Sequence, residues 1–291
     1  MLVTCLPGAN RTHLRATLRD VTIKLENLRA GTAGSTAYSR LLEYLQWAHE
    51  TVRVLSDQIS STDIDRLVLN QRYYALLAGI AGFAGTDSQA TVNGLLSLEL
   101  DQRVTAFTEA QEALDRQIQQ WSMRGEFVVP DTSVYIEHPQ KLEELDLAPL
   151  IPVREDPIHV LVPIAVVDEL DGLKRSKDTK ARWRAAYTLA VLDRVLQNSS
   201  GPARLRESDF SALDSGGIPR GEITIELLFD PRGHVRLPIT DDEIIDRALA
   251  VEPLAARRVT LLTYDTGQST RARAAGLAVS KLSTPLGTEP E

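Results

Sequence analysis

Residues 127–134 read FVVPDTSV, a short apolar run that ends at Asp131. The apolar run that begins at Ile158 leads into Glu169, and the run VTLLTY leads into Asp265. Short, continuous apolar runs of this kind are typical of buried strands in parallel sheets. The carboxyl ends of such strands form the edge where ligands bind in an open α/β sheet. The sequence therefore predicts a sheet with an acidic pocket at one edge.

A fourth acid, Asp242, opens the helix-like segment DDEIIDRALA. Carboxylates that are brought together repel one another at neutral pH unless a proton or a hard cation neutralises them. Mg²⁺ or Mn²⁺ would do so, and their characteristic chemistry in such sites is phosphodiester hydrolysis. The predicted catalytic and metal-binding residues are Asp131, Glu169, Asp242 and Asp265.

Each acid also has a structural explanation when it is taken singly. Asp131 precedes two small hydroxyl residues and could cap a helix, and Ser133 could either cap or orient the carboxylate of Asp131. Asp241 and Asp242 stand at a helix start, where the helix dipole favours acids. Asp265 lies between a strand and a Thr-Gly turn. Four such coincidences in one chain favour a metal site over four unrelated caps.

The assignment of Glu169 is ambiguous from the residues alone. A helix beginning after Pro163 places Asp168 and Asp171 on one face and turns Glu169 about 100° away from Asp168. One of these faces must be solvated, and the pattern alone does not decide which.

Composition narrows the class of protein. The 291 residues are 43% hydrophobic, which suffices for two domains, and the net charge of -8 argues against a generally basic nucleic-acid coat. The single cysteine, Cys5, excludes an internal disulfide and fits a reducing compartment. No apolar run approaches the roughly 20 residues that span a bilayer, so we expect a cytoplasmic protein without membrane contact.

The five histidines show no ligand spacing, and structural or surface roles are expected for His13, His49, His138, His159 and His234.

The first part of the chain has helical periodicity. One apolar stripe is predicted at Leu41, Leu42, Leu45, Ala48, Val52 and Leu55, and a second, in a helix over 88–123, at Leu95, Leu98, Val104, Phe107, Leu114 and Ile118. We therefore predict a helical domain over residues 1–124, an α/β domain over 125–282 and a disordered tail over 283–291.

Within the α/β domain, apolar strands alternate with helical stretches, which implies parallel pairing through crossovers. Residues 171–197 read as one long helix that begins with basic residues. The segment EITIELLF, the turn DPRG and the segment HVRLPI predict a β-hairpin over about 222–237.

Four segments in order, FVVPDTSVYIEH, LVPIAVVDELDGLK, LPITDDEII and VTLLTYDTGQSTRARAAGL, resemble the PIN domain family of metal-dependent ribonucleases, in its larger form. The resemblance covers roughly residues 126–282. It implies a three-layer α/β/α fold with a central parallel sheet, which here follows an all-α helical domain. Residues 1–124 and the predicted hairpin lie outside the minimal domain.

The resemblance also implies residue roles. The family's acids fall on Asp131, Glu169 and Asp265, and its third acid falls on Asp242, with Asp241 as the less favoured choice. Thr263 stands where the family often has a small hydroxyl residue near the pocket.

We expect a metal-dependent endoribonuclease that acts on RNA, more readily single-stranded. The resemblance implies products with 5′-phosphate and 3′-hydroxyl ends. A basic stretch that includes Lys174, Arg175 and Arg182 is usually a solvated helix face. The alternative is that Arg175, Arg182 and the neighbouring turn positions share one face of a helix and, with Lys174, grip phosphates. The helical domain could mediate self-association or bind a protein partner. The main alternative is a PIN-fold module that binds RNA or assembles without turnover. A phosphatase-like or receiver-like domain is disfavoured, because DTSV lacks the second aspartate of a DxD motif.

Overall fold

The computed structural model describes residues 3–31, 36–83, 89–151, 153, 155–197, 201–231 and 233–283. The chain divides into two compact units, residues 1–122 and 123–291. The tail predicted from residue 283 lies, beyond that residue, outside the described part. Among the described residues, no helix combines the length and the apolar character that crossing a bilayer requires.

The first unit is helical in its described part. Its helices are α1 (Arg11–Ala30), α2 (Ala37–Leu55), α3 (Ser61–Leu67), α4 (Gln71–Gly79) and α5 (Gln89–Gln120), with a 3₁₀ turn at Ile80–Gly82. Helix α1 packs along α5 and α2. Four polar side chains accept a hydrogen bond from a backbone amide at the start of their helix, which explains where these helices begin: Asn10, Thr36, Ser60 and Asn70.

The predicted apolar stripes are partly wrong. In α2, Leu41, Ala48 and Leu55 are buried as predicted, but Leu42 is 42% exposed and the aromatic residues Tyr44 and Trp47 take part in the core. In α5, Leu95 and Leu98 are exposed, whereas the core side includes Val92, Leu96, Leu100, Phe107 and Leu114. Adjacent helical residues point about 100° apart, so an error of one position in the phase of a stripe exposes a leucine expected inside.

A buried carboxylate ties three helices of this unit together. Glu99 of α5 accepts hydrogen bonds from Tyr44 of α2 (3.0 Å) and from Asn70 (2.7 Å) and Arg72 (2.9 Å) of the α4 segment. Arg103, one turn further along α5, forms an ion pair with it at 3.0 Å. Because an unpaired buried charge is costly, this network stabilises the packing, and its polar residues are occupied by structural contacts.

The second unit is built on a six-stranded sheet. Its strands are β1 (Glu126–Pro130), β2 (Ile158–Pro163), β3 (Ala203–Arg206), β4 (Ile223–Leu228), β5 (Val259–Thr263) and β6 (Ala278–Lys281), in the spatial order β3-β4-β2-β1-β5-β6. All pairs are parallel except β3 with β4. The helices on the two faces are α6 (Thr132–Glu137), α7 (Ile164–Leu173), α8 (Thr179–Leu196), α9 (Thr240–Ala255) and α10 (Thr266–Ala274). The predicted three-layer fold after a helical region is confirmed.

Two local predictions in this unit are wrong. The predicted hairpin does not form, because β4 pairs with β2 and with β3, a strand that the sequence analysis missed. The amide of Leu237, in the expected second hairpin strand, donates instead to the side chain of Glu243 at 2.8 Å. The predicted long helix over 171–197 is also interrupted, since Asp178 caps a new helix, α8, by accepting from the amide of Lys180 at 2.8 Å.

The entry into β1 requires glycine at position 125. Gly125 has a φ of 126°, and a Cβ there would lie 2.3 Å from the carbonyl oxygen of Pro157. That oxygen accepts the amide of Glu126 at 2.9 Å, so it cannot move away freely. The central strand of the sheet therefore depends on this glycine.

We predict that Gly125→Ala destabilises the protein by roughly 3 kcal/mol, because backbone strain and a backbone clash add. The matched control is Gly172→Ala in α7, where a Cβ meets nothing within 4 Å. That control should be neutral or stabilising by up to about 1 kcal/mol. Urea denaturation of the two variants measures both effects, and equal stabilities would contradict the assigned role of Gly125.

Candidate active site

The carboxylate of Asp131 lies at the junction of β1 and α6. The carboxylate is buried and caps α6, with its Oδ1 atom accepting from the amide of Val134 at 3.1 Å. The hydroxyl of Ser133 donates to the same oxygen at 2.6 Å, and that of Thr263 donates to Oδ2 at 2.6 Å. Burial raises the pKa of Asp131 to about 6, although these three hydrogen bonds oppose the shift; repulsion from Glu169 adds to it.

The same two hydroxyls join the end of β1 to the end of β5. Thr263 accepts from the amide of Asp265 at 2.8 Å, and Ser133 accepts from the amide of Tyr264 at 2.8 Å. Each hydroxyl thus donates to Asp131 while it accepts from the chain that follows β5. The position of Asp131 and the course of residues 263–265 are therefore fixed by one shared network.

Glu169 approaches this network from α7, which begins directly after β2. Its carboxylate accepts a hydrogen bond from the hydroxyl of Thr132. Its pKa is raised, first by burial and then by repulsion from Asp241, while the Thr132 contact opposes the shift. Thr132 was missed in the sequence analysis, and its only signal was its place directly after Asp131.

The two acids that compete with Glu169 are engaged elsewhere. Asp168 pairs with Arg236 at 2.5 Å, and Asp171 pairs with Lys174 at 2.6 Å. Glu169 is thus the acid of this segment whose contact is with the residue next to Asp131.

Asp241 and Asp242, neighbours in the first turn of α9, face different surroundings. Both oxygens of Asp242 accept from Nη1 of Arg271 at 3.2 Å. The pKa of Asp241 is raised by burial and then by repulsion from Asp265 and Asp242, with Arg271 opposing. Asp241 also raises the pKa of Glu169. The predicted residue, Asp242, therefore lies in an ion pair, and the alternative, Asp241, interacts with the other acids.

Asp265 follows β5 and caps α10. Its Oδ1 atom accepts from the amide of Gln268 at 2.7 Å. This contact leaves Oδ2 for other partners. The structure thus supports both the capping role and a position near the other acids, since Asp265 repels Asp241.

The four acids are linked electrostatically in one series: Asp131 with Glu169, Glu169 with Asp241, and Asp241 with Asp265. No three of them have ligand atoms within 4.8 Å of one another. An all-carboxylate donor set suits Mg²⁺ or Mn²⁺, and Mg²⁺ usually keeps several of its waters. The spacing therefore fits a hydrated ion or a pair of ions better than a single ion held by protein atoms alone.

A cavity of about 240 Å³ lies beside Glu169. Its walls include Arg236, Leu237, Thr240 and Glu243, from α9 and the loop before it. This loop therefore shapes the approach to one of the four acids.

The basic residues predicted to grip phosphates are exposed, but they do not lie on one helix as expected. Lys174 and Arg175 follow the end of α7, and Arg182 lies in α8. Lys174 pairs with Asp171, and Arg182 donates to the carbonyl oxygen of Ser176 at 2.9 Å. Arg184, in the same stretch, is buried and donates to the carbonyl oxygens of Tyr135, His138 and Gln140. Arg184 thus holds α8 to the segment around α6 and is occupied there, while Lys174, Arg175 and Arg182 stay accessible.

The mostly parallel sheet has Asp131 and Asp265 just after β1 and β5, and Glu169 in the helix that follows β2, an arrangement consistent with a nuclease-like α/β fold. The PIN domain family model matches residues 128–283, which is more than half of the chain. The chain belongs to the PIN domain family. None of the curated proteins matches it. PIN domains are generally nucleases, typically bind divalent metals and generally act on RNA.

The raised pKa of Asp131 predicts a pH-dependent stability in the absence of metal. The pKa of this carboxyl group is higher in the folded protein than the ordinary value of 3.8. The group therefore makes its full contribution to the stability of the fold below pH 3.8. This contribution is lost as the pH rises through about 6, and amounts to about 3 kcal/mol for a shift of this size. Asp131→Asn removes this titration. In chelator, the free energy of unfolding of the variant should therefore rise relative to that of the wild type between pH 4 and pH 7.

Urea denaturation at both pH values measures this gain. Asp171→Asn is the control, because Lys174 lowers the pKa of that exposed carboxyl and the variant should gain nothing at pH 7. A constant difference between wild type and Asp131→Asn across this range would show that Asp131 does not titrate there.

Proposed function

We propose that this protein is a metal-dependent endoribonuclease, with its active site at the carboxyl edge of the sheet. The observation that carries the proposal is the buried Asp131, oriented by two hydroxyls and linked through Glu169 to Asp241 and Asp265. A carboxylate held in this way, with its neighbours' pKa values raised by burial and mutual repulsion, is suited to a cation.

The proposed ligands of Mg²⁺ or Mn²⁺ are Asp131, Glu169, Asp241 and Asp265. When bound, such an ion activates water for in-line attack and neutralises charge on the phosphate and the leaving oxygen. Asp241 replaces Asp242 in this proposal, because Arg271 already neutralises Asp242 while Asp241 repels Glu169 and Asp265. The Asp242–Arg271 pair would then flank the site, where the guanidinium can contact a substrate phosphate.

Three hydroxyls position the carboxylates. Ser133 and Thr263 each hold one oxygen of Asp131, and Thr132 holds Glu169. Their hydrogen bonds stabilise the ionised carboxylates, which must lose their protons to bind a cation. These contacts also fix the direction in which the remaining lone pairs point, and direction limits where a scissile phosphate can lie.

The proposed substrate is RNA, with single strands favoured, and the proposed products carry 5′-phosphate and 3′-hydroxyl ends. Phosphate contacts are assigned to Lys174, Arg175 and Arg182, because local positive charge is needed on a protein of net charge -8. A cytoplasmic location and a role of the helical unit in self-association or in binding a protein partner belong to the same proposal.

The choice between the two neighbouring aspartates gives a direct test. We predict that Asp241→Asn lowers kcat/KM for cleavage of a labelled single-stranded RNA by about 100-fold or more. Loss of one charge-stabilising group in an active site commonly costs about 100- to 1,000-fold. Asp242→Asn removes only a partner of Arg271 and should cost less than about 10-fold.

Asp131→Asn serves as the inactive reference, and melting curves check that each variant is folded. Equal losses in the two variants, or a greater loss in Asp242→Asn, would restore Asp242 as the third ligand. RNA that stays intact with folded wild type in both Mg²⁺ and Mn²⁺ would favour the non-catalytic module.

The basic residues give a second prediction. If Lys174, Arg175 and Arg182 contact phosphates, their replacement by Glu should weaken RNA binding. The slope of the logarithm of the binding constant against the logarithm of the salt concentration should also become shallower, by the equivalent of up to about three phosphate contacts. A charge-matched control is the triple variant Lys24→Glu, Arg29→Glu and Arg53→Glu in the helical unit. Binding is measured by fluorescence anisotropy between about 50 and 200 mM salt. An unchanged slope would assign the three residues to the solvated surface without a role in RNA binding.

A further inference from the structure

A second set of ligand-type side chains lies outside the four proposed catalytic acids. Asp230 and His234 belong to the loop that follows β4, and Glu243 lies in the first turn of α9. Each offers one ligand atom, and the three atoms lie within 4.8 Å of one another. His234 was expected to have a structural or surface role. It lies four residues after Asp230 and nine residues before Glu243, a spacing that matches no ligand motif.

We propose that Asp230, His234 and Glu243 form a second divalent-cation site, suited to Zn²⁺, that fastens Asp230 and His234 of the loop after β4 to α9. Two carboxylate oxygens with one imidazole nitrogen are a donor set that zinc accepts readily, whereas Mg²⁺ prefers oxygen atoms alone. The chemistry of this site therefore differs from that of the four carboxylates proposed for catalysis.

The geometry is close to that of a coordination shell. His234 Nε2 lies 2.8 Å from Oε1 of Glu243. Zinc bonds of about 2.05 Å place tetrahedral ligand atoms about 3.3 Å apart, so the third ligand atom, which lies within 4.8 Å, must move inward by up to about 1.5 Å. A tight turn already folds the loop back, since the amide of His234 donates to the carbonyl oxygen of Pro231 at 2.9 Å.

An independent observation points to a missing partner. Oδ2 of Asp230 accepts from Arg236 at 2.6 Å, but its Oδ1 atom is buried without a hydrogen-bond partner among the described residues. A buried carboxylate oxygen without a partner is costly. The cation would supply that partner, and Glu243, which is 99% buried, would supply a second negative charge beside it.

The competing explanation is an ion-free clasp. Arg247 lies 3.5 Å from Glu243, and Arg236 pairs with Asp230, so two guanidinium groups already offset part of the negative charge. A protonated His234 would complete such a clasp with Glu243 at 2.8 Å. The clasp leaves Oδ1 of Asp230 without a hydrogen-bond partner among the described residues, whereas a cation bound at that oxygen would satisfy it. Binding the cation also requires that the nitrogen facing Glu243 gives up its proton.

The site has a consequence for the acidic pocket. The loop carries Arg236 and Leu237, which line the cavity beside Glu169, and Arg236 joins Asp230 to Asp168. A cation on Asp230 would fix the wall of that cavity without touching the four acids. Its occupancy would therefore affect how substrate enters, separately from the metal used in catalysis.

The test is a Zn²⁺ titration of the full chain, stripped by chelator and dialysed, against a chromogenic competing chelator. Wild type and Asp131→Asn should both bind one Zn²⁺ that His234→Gln binds at least about tenfold more weakly, since even outer partners of a ligand contribute about 10- to 100-fold. The control His13→Gln changes an exposed histidine of α1 and should bind as wild type does. Zinc should also shift the imidazole NMR signals of His234 and leave those of His13 unchanged.

Asp230→Asn is the second variant, since it keeps the His234–Glu243 contact and should remain folded if His234→Gln does not. It should weaken Zn²⁺ binding as well. Equal Zn²⁺ binding by wild type, His234→Gln and Asp230→Asn would overturn the proposal in favour of the clasp. Loss of the bound ion in Asp131→Asn alone would assign it to the catalytic acids. Because binding is measured directly, neither result depends on ribonuclease activity.

Discussion

The burial of the Asp131 carboxylate at the end of the central strand constrains the rest of the site. β1 lies between β2 and β5, so the chain that leaves each of these strands must pass close to this carboxylate. A buried carboxylate requires donors, and the donors come from the first turn of α6 and from the end of β5. Because the hydroxyls of Ser133 and Thr263 also accept amides from residues 264 and 265, orientation of the acid and closure of the β5–α10 connection form one interaction.

The acids near Asp131 fall into two groups with different surroundings. The inner acids, Asp131, Glu169 and Asp241, have raised pKa values because burial and mutual repulsion disfavour their ionised forms. Acids one position away are neutralised by arginine: Asp168 by Arg236, and Asp242 by Arg271. A cation would thus be attracted to the acids whose pKa values are raised, whereas Asp168 and Asp242 are already paired with arginine. On the proposed function, this arrangement would let a protein of net charge -8 approach a polyanion locally.

Sequence reasoning succeeded where one physical signal dominates. Continuous apolar runs predicted β1, β2 and β5, and hence the parallel sheet. It failed where distant contacts decide. Leu95 and Leu98 are apolar, but only the packing partners of α5 fix the phase of its buried stripe. For the adjacent acids Asp241 and Asp242 the sequence pattern offers no distinction, whereas the structure pairs Asp242 with Arg271, 29 residues further along the chain. The expected hairpin has alternating residues, yet the amide of Leu237 bonds to a side chain of α9.

Arg236 connects the two acidic regions of the second unit. Its guanidinium donates to Asp168 of α7 and to Asp230 of the loop, so the loop position and the face of α7 beside Glu169 are coupled through one side chain. Exposed ion pairs contribute little stability singly, and Arg236 is 41% exposed. A buried anchor is therefore needed if the loop is to form a defined wall of the cavity. Glu243 provides it by accepting a hydrogen bond from the amide of Leu237 and contacting His234, and an ion shared with Asp230 would extend that anchor to Asp230.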